Sequence, residues 1–310
     1  MKVIIDTDPG IDDAVAILLA LASPELDVIG LTTVFGNCTV EVATRNALTL
    51  LDIAGRPEMP VAMGAANPVA MPYLGAIPHI HGEDGLGEGD PLPAPTGRAV
   101  DAHAAEFLCR NGPGATILAV GPLTNLALAL RLRPDLDTLV DRVVVMGGNA
   151  LGPGNATPAA EANMYNDPEA ADVVFGARWP VTMVGLDVTH KVVMSGAAID
   201  AVTAGDTPAA RLLRRALSFY RSFFKKTNAI DGIYLHDPVA AAYLLDAGLF
   251  RTEAWPVRVE TQGISRGKTW PSLGDTDDAI PVAWQGRPLV NVCVDVDAQR
   301  AVDLVTSRLR

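Results

Sequence analysis

The chain has 310 residues, of which 49% are hydrophobic, with three cysteines and a formal net charge of −12. This apolar content excludes a disordered chain, and an acidic balance without any Lys/Arg-rich face argues against nucleic acid and anionic membrane surfaces as partners. Cys38, Cys109 and Cys293 are odd in number and far apart, so they predict no disulfide framework or zinc site, only buried thiols in a reducing, cytoplasmic setting.

The chain opens MKVIIDTDPGIDDAVAILLAL, which reads as a strand from residue 3 followed by a helix through 14–22. It lacks the pattern of a signal peptide, and 14–22, the longest apolar run, is too short to span a bilayer. A strand over 28–34 precedes a helix over 42–54, and a strand over 116–120 precedes a helix over 125–131. Further strands are predicted at 143–146 and 181–184. Such alternation predicts an α/β fold: one domain, 1–310, with a mostly parallel open sheet flanked by helices around a Rossmann-like core. Gly- and Pro-rich stretches at 64–97 and 147–158 read as long functional loops.

Ligands of open parallel sheets bind beyond the carboxyl ends of the strands, and polar motifs recur there: DTDPGIDD, FGN (35–37), GPLTN (121–125) and MGGN (146–149). The first puts Asp6, Asp8, Asp12 and Asp13 within eight residues. Asp6 and Asp8 share a side by the period of two in a strand, while Asp12 and Asp13 fall at the first helical turn, where the dipole favours anions. Four crowded carboxylates need a compensating cation or a chemical use. Oxygen donors without nearby Cys or His suit Ca²⁺ or Mg²⁺, although the spacing is not that of an EF-hand.

A second cluster, GNATPAAEANMYNDPEAA, gathers Asn155, Glu161, Asn163 and Asn166 ahead of a helix capped by Asp167 with Pro168 at its first position. Asn and Glu side chains can grip vicinal sugar hydroxyls, and a polar loop is the plain alternative. In IYLHDPVAAAYLL, Asp237 alone reads as a helix N-cap and His236 as a candidate acid. His79 and His81 lie in the Gly-rich PHIHGEDGLGEGD, either as parts of a flexible lid or as ligand contacts.

In these segments the sequence resembles the inosine–uridine preferring nucleoside hydrolases. DTDPGIDDAVAILLAL, TTVFGN, HIHGEDGLG, GPLTNLALA, MGGN, VTMVGLDVTH and HDPVAAAY occur in that family's order from residue 3 to about 243, and the remainder is much less diagnostic. The resemblance implies hydrolysis of the N-glycosidic bond of ribonucleosides to ribose and free base, with bound Ca²⁺ and a homodimeric or homotetrameric assembly. It implies that Asp8, Asp13, the Thr124 carbonyl and Asp237 ligate calcium with Asp6 in support, and that Asp8 takes a proton from water. Asp12, Asn155, Glu161 and Asn163 would hold the ribose hydroxyls with Asn37 nearby, and His81, Met146 and Asp237 would also bind the substrate. His236 would protonate the departing base.

The departures lie at the base. Phe224 stands where some members have a tyrosine, with Tyr220, Phe223 and Tyr234 as other stacking candidates. Two rival readings are a serine hydrolase using GISRG (263–267) and an aspartyl phosphatase using Asp6 or Asp8. The first lacks the strand–turn–helix context and the second lacks cations near the anion. A third rival is a nucleoside-binding protein without turnover.

Overall fold

The computed structural model describes residues 1–274 and 281–310. Its strands are β1 (Lys2–Thr7), β2 (Asp27–Thr33), β3 (Val61–Met63), β4 (Thr116–Ala119), β5 (Arg142–Met146), β6 (Val181–Val184), β7 (Val193–Ser195), β8 (Gly232–Tyr234), β9 (Phe250–Val259), β10 (Thr269–Pro271) and β11 (Leu289–Val296). The helices are α1 (Ile11–Leu21), α2 (Val40–Ile53), α3 (Pro78–His81), α4 (Ala104–Asn111), α5 (Thr124–Leu132), α6 (Ala162–Asn166), α7 (Pro168–Phe175), α8 (Leu186–Thr189), α9 (Gly196–Thr203), α10 (Pro208–Asn228), α11 (His236–Leu245) and α12 (Ala298–Leu309).

Among the described residues, nine strands form one sheet in the order β3-β2-β1-β4-β5-β6-β11-β9-β10. From β3 to β11 every neighbouring pair is parallel, and β9 and β10 add an antiparallel edge. Val3 and Ile5 pack on one face with residues of α1, α2, α10 and α11, whereas Ile4 packs on the other with residues of α4, α5 and α7. Both faces are covered, so the central strands are apolar throughout rather than alternating.

This topology fixes where ligands can sit. From β1 the order runs outward to β2 and β3 on one side and to β4, β5 and β6 on the other, so β1 and β4 flank a topological switch point. A crevice opens beyond their carboxyl ends, between the turn carrying Asp8 and the turn at 120–123.

The predicted strands and helices fall on observed ones, with three differences. The 64–97 stretch contains the one-turn helix α3, begun by Pro78 at a position where its missing N–H costs nothing. Asp237 does not cap α11: Leu235 holds that position, and no side chain bonds the helix start. Cys109 is half-buried rather than buried like Cys38 and Cys293. GISRG forms a single 3₁₀ turn with Ile264 fully exposed, not a nucleophile elbow. Among the described residues, no helix is long and apolar enough to cross a membrane.

Candidate active site

The DTDPG turn delivers its carboxylates because β1 ends at Thr7 and Gly10 starts α1. Asp13 reaches back to the Gly10 amide (2.9 Å), which occupies one of the donors a helix start leaves open. It also accepts from Thr7 Oγ1 (2.5 Å), the Asp8 amide (3.2 Å) and Asn37 Nδ2 (3.0 Å). Asp8 Oδ2 accepts the Asn37 amide at 2.6 Å. Its other oxygen faces Gly121, where a Cβ would stand 2.6 Å away, and a Cβ on Gly36 would overlap Oδ2. Only glycine lets these two turns close on the carboxylate.

Asp12, Asp13 and Asp237 each place a carboxylate oxygen within 4.8 Å of the other two, and all three are buried. Burial pushes Asp12 up to about 7, with Asp13 repelling it further. Asp8 and Asp237 are driven well above the usual carboxylate range, first by burial and then by neighbouring aspartates, and burial also raises Asp13. Asp8 Oδ1 and Asp12 Oδ1 are buried with no hydrogen-bond donor among the described residues. A concentration of hard oxygen donors with unfilled acceptors fits a hard divalent cation. The tight group contains Asp12, expected on the ribose, whereas Asp8 lies beside it. Asp6 sits beneath, accepting from Thr32 Oγ1 (2.5 Å) and Asn125 Nδ2 (2.8 Å), and burial raises it to about 7. Thr124 opens α5 with its hydroxyl on Asp167 Oδ2 (2.6 Å), and Asp167 caps α7 through the Ala170 amide as expected.

Above the carboxylates lies a cleft of about 450 Å³. Asp12, Asn37, His81, Met146, Asn155, Glu161, Asn163, His236 and Asp237 all line it, so the fold unites site residues predicted across more than 200 positions of sequence. Glu161 caps α6 by accepting from the Asn163 and Met164 amides, and it also takes the Gly148 amide. Asn155 Oδ1 accepts the Ala162 amide. Asn163 gives its Nδ2 to the Val120 and Met146 carbonyls, which turns its Oδ1 into the remaining acceptor. The polar wall is thus rigidly held before any ligand arrives.

The opposite wall is aromatic: Tyr220, Phe223, Phe224, Tyr234, His81, His190 and His236. Tyr220 packs against His81 with ring centroids 5.6 Å apart and points its hydroxyl at Asp12 Oδ2 (3.4 Å). His81 is buried and accepts the Ile11 amide on Nδ1 (3.1 Å), which puts its proton on Nε2, whereas His79 is exposed. His236 Nδ1 lies 2.9 Å from Thr189 Oγ1. With Nδ1 engaged there, Nε2 is the ring nitrogen left to meet a ligand. Burial, followed by His190 and His81, pushes His236 down to about 3, so the ring is neutral at pH 7 rather than poised near it. Sequence reasoning missed Thr189 and His190. They close the VTMVGLDVTH segment, just beyond the carboxyl end of β6, but no role was assigned to them there.

A family model described as inosine-uridine preferring nucleoside hydrolase matches residues 3–303. The chain belongs to this family. It is 43% identical to the probable uridine nucleosidase 2 of Arabidopsis thaliana, covering 99% of this chain and 97% of that one. It is 42% identical to a pyrimidine-specific ribonucleoside hydrolase of Salmonella schwarzengrund, over 100% and 98%. Among solved structures, a plant nucleoside hydrolase superposes with a TM-score of 0.96 at 40% identity, covering 99% of this chain and 98% of that one. A purine-preferring ribonucleoside hydrolase from Gardnerella vaginalis gives 0.91 at 32%, covering 100% and 98%. As a nucleoside hydrolase, the chain is an enzyme of N-glycosidic bonds, and the cleft pairs an acidic floor with an aromatic wall as such a bond requires.

Proposed function

We propose that the chain is a Ca²⁺-dependent ribonucleoside hydrolase that prefers uridine, with the ribose on the carboxylate floor and the base against the aromatic wall. The observation that carries this reading is one cleft lined by Asp12 with its unpartnered buried Oδ1, by the polar wall of Glu161 and Asn163, and by His236 amid aromatic rings. The preference for uridine is supported by the names of the relatives at 42–43% identity, which are uridine nucleosidases and pyrimidine-specific hydrolases.

Asp12, Asp13 and Asp237, with Asp8 and the Thr124 carbonyl, would hold the cation. Bound there, a hard divalent cation keeps these carboxylates ionised and raises the acidity of adjacent water. Asp8, through its unpartnered Oδ1, accepts the proton of the attacking water. Cleavage of the N-ribosidic bond builds positive charge on the sugar, and the surrounding anions favour that state over the neutral substrate. His236 serves the departing base from Nε2. Its depressed pKa makes the imidazolium a strong acid when it forms. Phe224 keeps a face for stacking but cannot relay a proton.

A homodimeric or homotetrameric assembly belongs to this proposal on the resemblance alone, and cytoplasmic residence on the cysteine usage and the sequence pattern of the first residues. Ribose release from uridine, cytidine, inosine and adenosine tests it. The reading expects uridine to have the highest kcat/KM. A faster rate on inosine would overturn the base preference, and no release from any of the four would overturn the proposal.

A further inference from the structure

Lys268 lies in the part of the chain whose sequence is least diagnostic, directly before β10. It is 8% exposed, and its Nζ donates to the carbonyls of Asn149 (2.6 Å) and Gly152 (3.0 Å). A buried ammonium resting on neutral carbonyls is costly unless a nearby anion or a fixed set of dipoles compensates it. Both are present. Asp187, on α8, accepts the amides of Ala150 (2.6 Å), Leu151 (2.8 Å) and Gly152 (2.9 Å). The 149–152 turn therefore has its N–H groups on an anion and its C=O groups on a cation. Thr269 Oγ1 adds a contact to the Asn149 amide (2.8 Å). Apolar packing reaches the turn only through Ala150, since Leu151 at its tip is 58% exposed.

The turn sits between Gly148, whose amide bonds Glu161, and Asn155, whose side chain bonds the start of α6. A shift of the turn would carry those cleft-lining groups with it. We propose that Lys268 and Asp187 form an opposed-charge clip on the 149–152 turn, and that they act as positioning residues for the wall of Asn155, Glu161 and Asn163 that receives the sugar. This rests on the reading of that wall as the ribose side. It also gives the antiparallel edge of the sheet a role in recognition, since β9 and β10 bring Lys268 and Thr269 to the turn.

The test uses the full-length, metal-loaded enzyme, with kcat/KM for uridine and for its 2′-, 3′- and 5′-deoxy analogues. The variants are Lys268→Met, Asp187→Asn and the pair combined, which remove charge with little change of shape. Each single variant should lose about 10- to 100-fold on uridine, the scale expected of a misplaced binding wall. The loss should shrink on the analogue lacking the hydroxyl that this wall holds, and the double variant should be no worse than the worse single one. Equal losses across all four substrates, additive losses in the double variant, or unchanged kcat/KM would overturn the clip. Wild-type enzyme indifferent to every missing hydroxyl would instead overturn the ribose reading of the wall, so the two failures are distinguishable. If Lys268→Met does not fold, Asp187→Asn alone carries the same comparison.

Discussion

His236 shows how a single hydrogen bond decides what a residue can do. Thr189 fills Nδ1, so whatever His236 gives to a departing base must leave from Nε2. His236→Ala should slow uridine hydrolysis by about 10²–10⁴-fold, the usual worth of a positioned acid. A p-nitrophenyl riboside, whose leaving group needs little protonation, should be cleaved almost as before. Measuring both rates with calcium content verified separates chemistry from damage to Asp237 next door. Equal losses on both substrates would show that His236 only shapes the site. At this scale the aspartates were legible in sequence, because D-x-D-P-G-x-D-D at a strand end has few structural uses. Asp237 reads as a helix N-cap from its local sequence and joins the cluster only through the family resemblance, and no local signal shows that Glu161 is itself a cap. Both depend on which helix ends meet across the crevice.

Among elements, the turns after β1, β2 and β4 are packed so tightly around Asp8 that two of their residues have no room for a side chain. Gly121→Ala would place a methyl 2.6 Å from Asp8 Oδ1 and 2.8 Å from Val34 Cγ1. The carboxylate or the turn must then move, and kcat should fall about 100-fold, as expected when a reacting group is displaced by an ångström. Unchanged kcat in a variant of normal stability would mean that the position of Asp8 is not critical. Sequence periodicity located β1, α1, β2 and α2 because both faces of the sheet are covered and the apolar runs are long. It did not cover α10, the helix that supplies Tyr220, Phe223 and Phe224 to the cleft. The signal was present, since Leu212, Leu213, Ala216, Leu217, Tyr220 and Phe224 recur at helical spacing and are all buried. The short elements α3, β7 and β8 had no such signal and owe their form to tertiary contacts.

Across the whole molecule, a buried acidic floor at the carboxyl end of the open sheet links stability to pH and to metal. Burial raises Asp6 and Asp12 to about 7, so in protein freed of cations they still bind protons between pH 6.5 and 8. The unfolded chain, with ordinary carboxylates near 4, has already lost them. The folded state then binds more protons, so stability falls as pH rises through this window. His81 and His236, both lowered to about 3 by burial, act in the opposite direction as unfolded histidine protonates around pH 6.5, so they offset only part of the effect at the acid end of this window. Scanning calorimetry of chelated protein should therefore show a lower Tm at pH 8 than at pH 6.5, and saturating Ca²⁺ should remove most of that difference. A Tm that rises with pH in chelated protein would contradict the protonated floor. The most direct test of the account is ribose release from uridine by wild-type enzyme, measured after exhaustive chelation and again after Ca²⁺ is restored. The account predicts that activity disappears with the metal and returns with it, and undiminished hydrolysis by verified metal-free protein would contradict it.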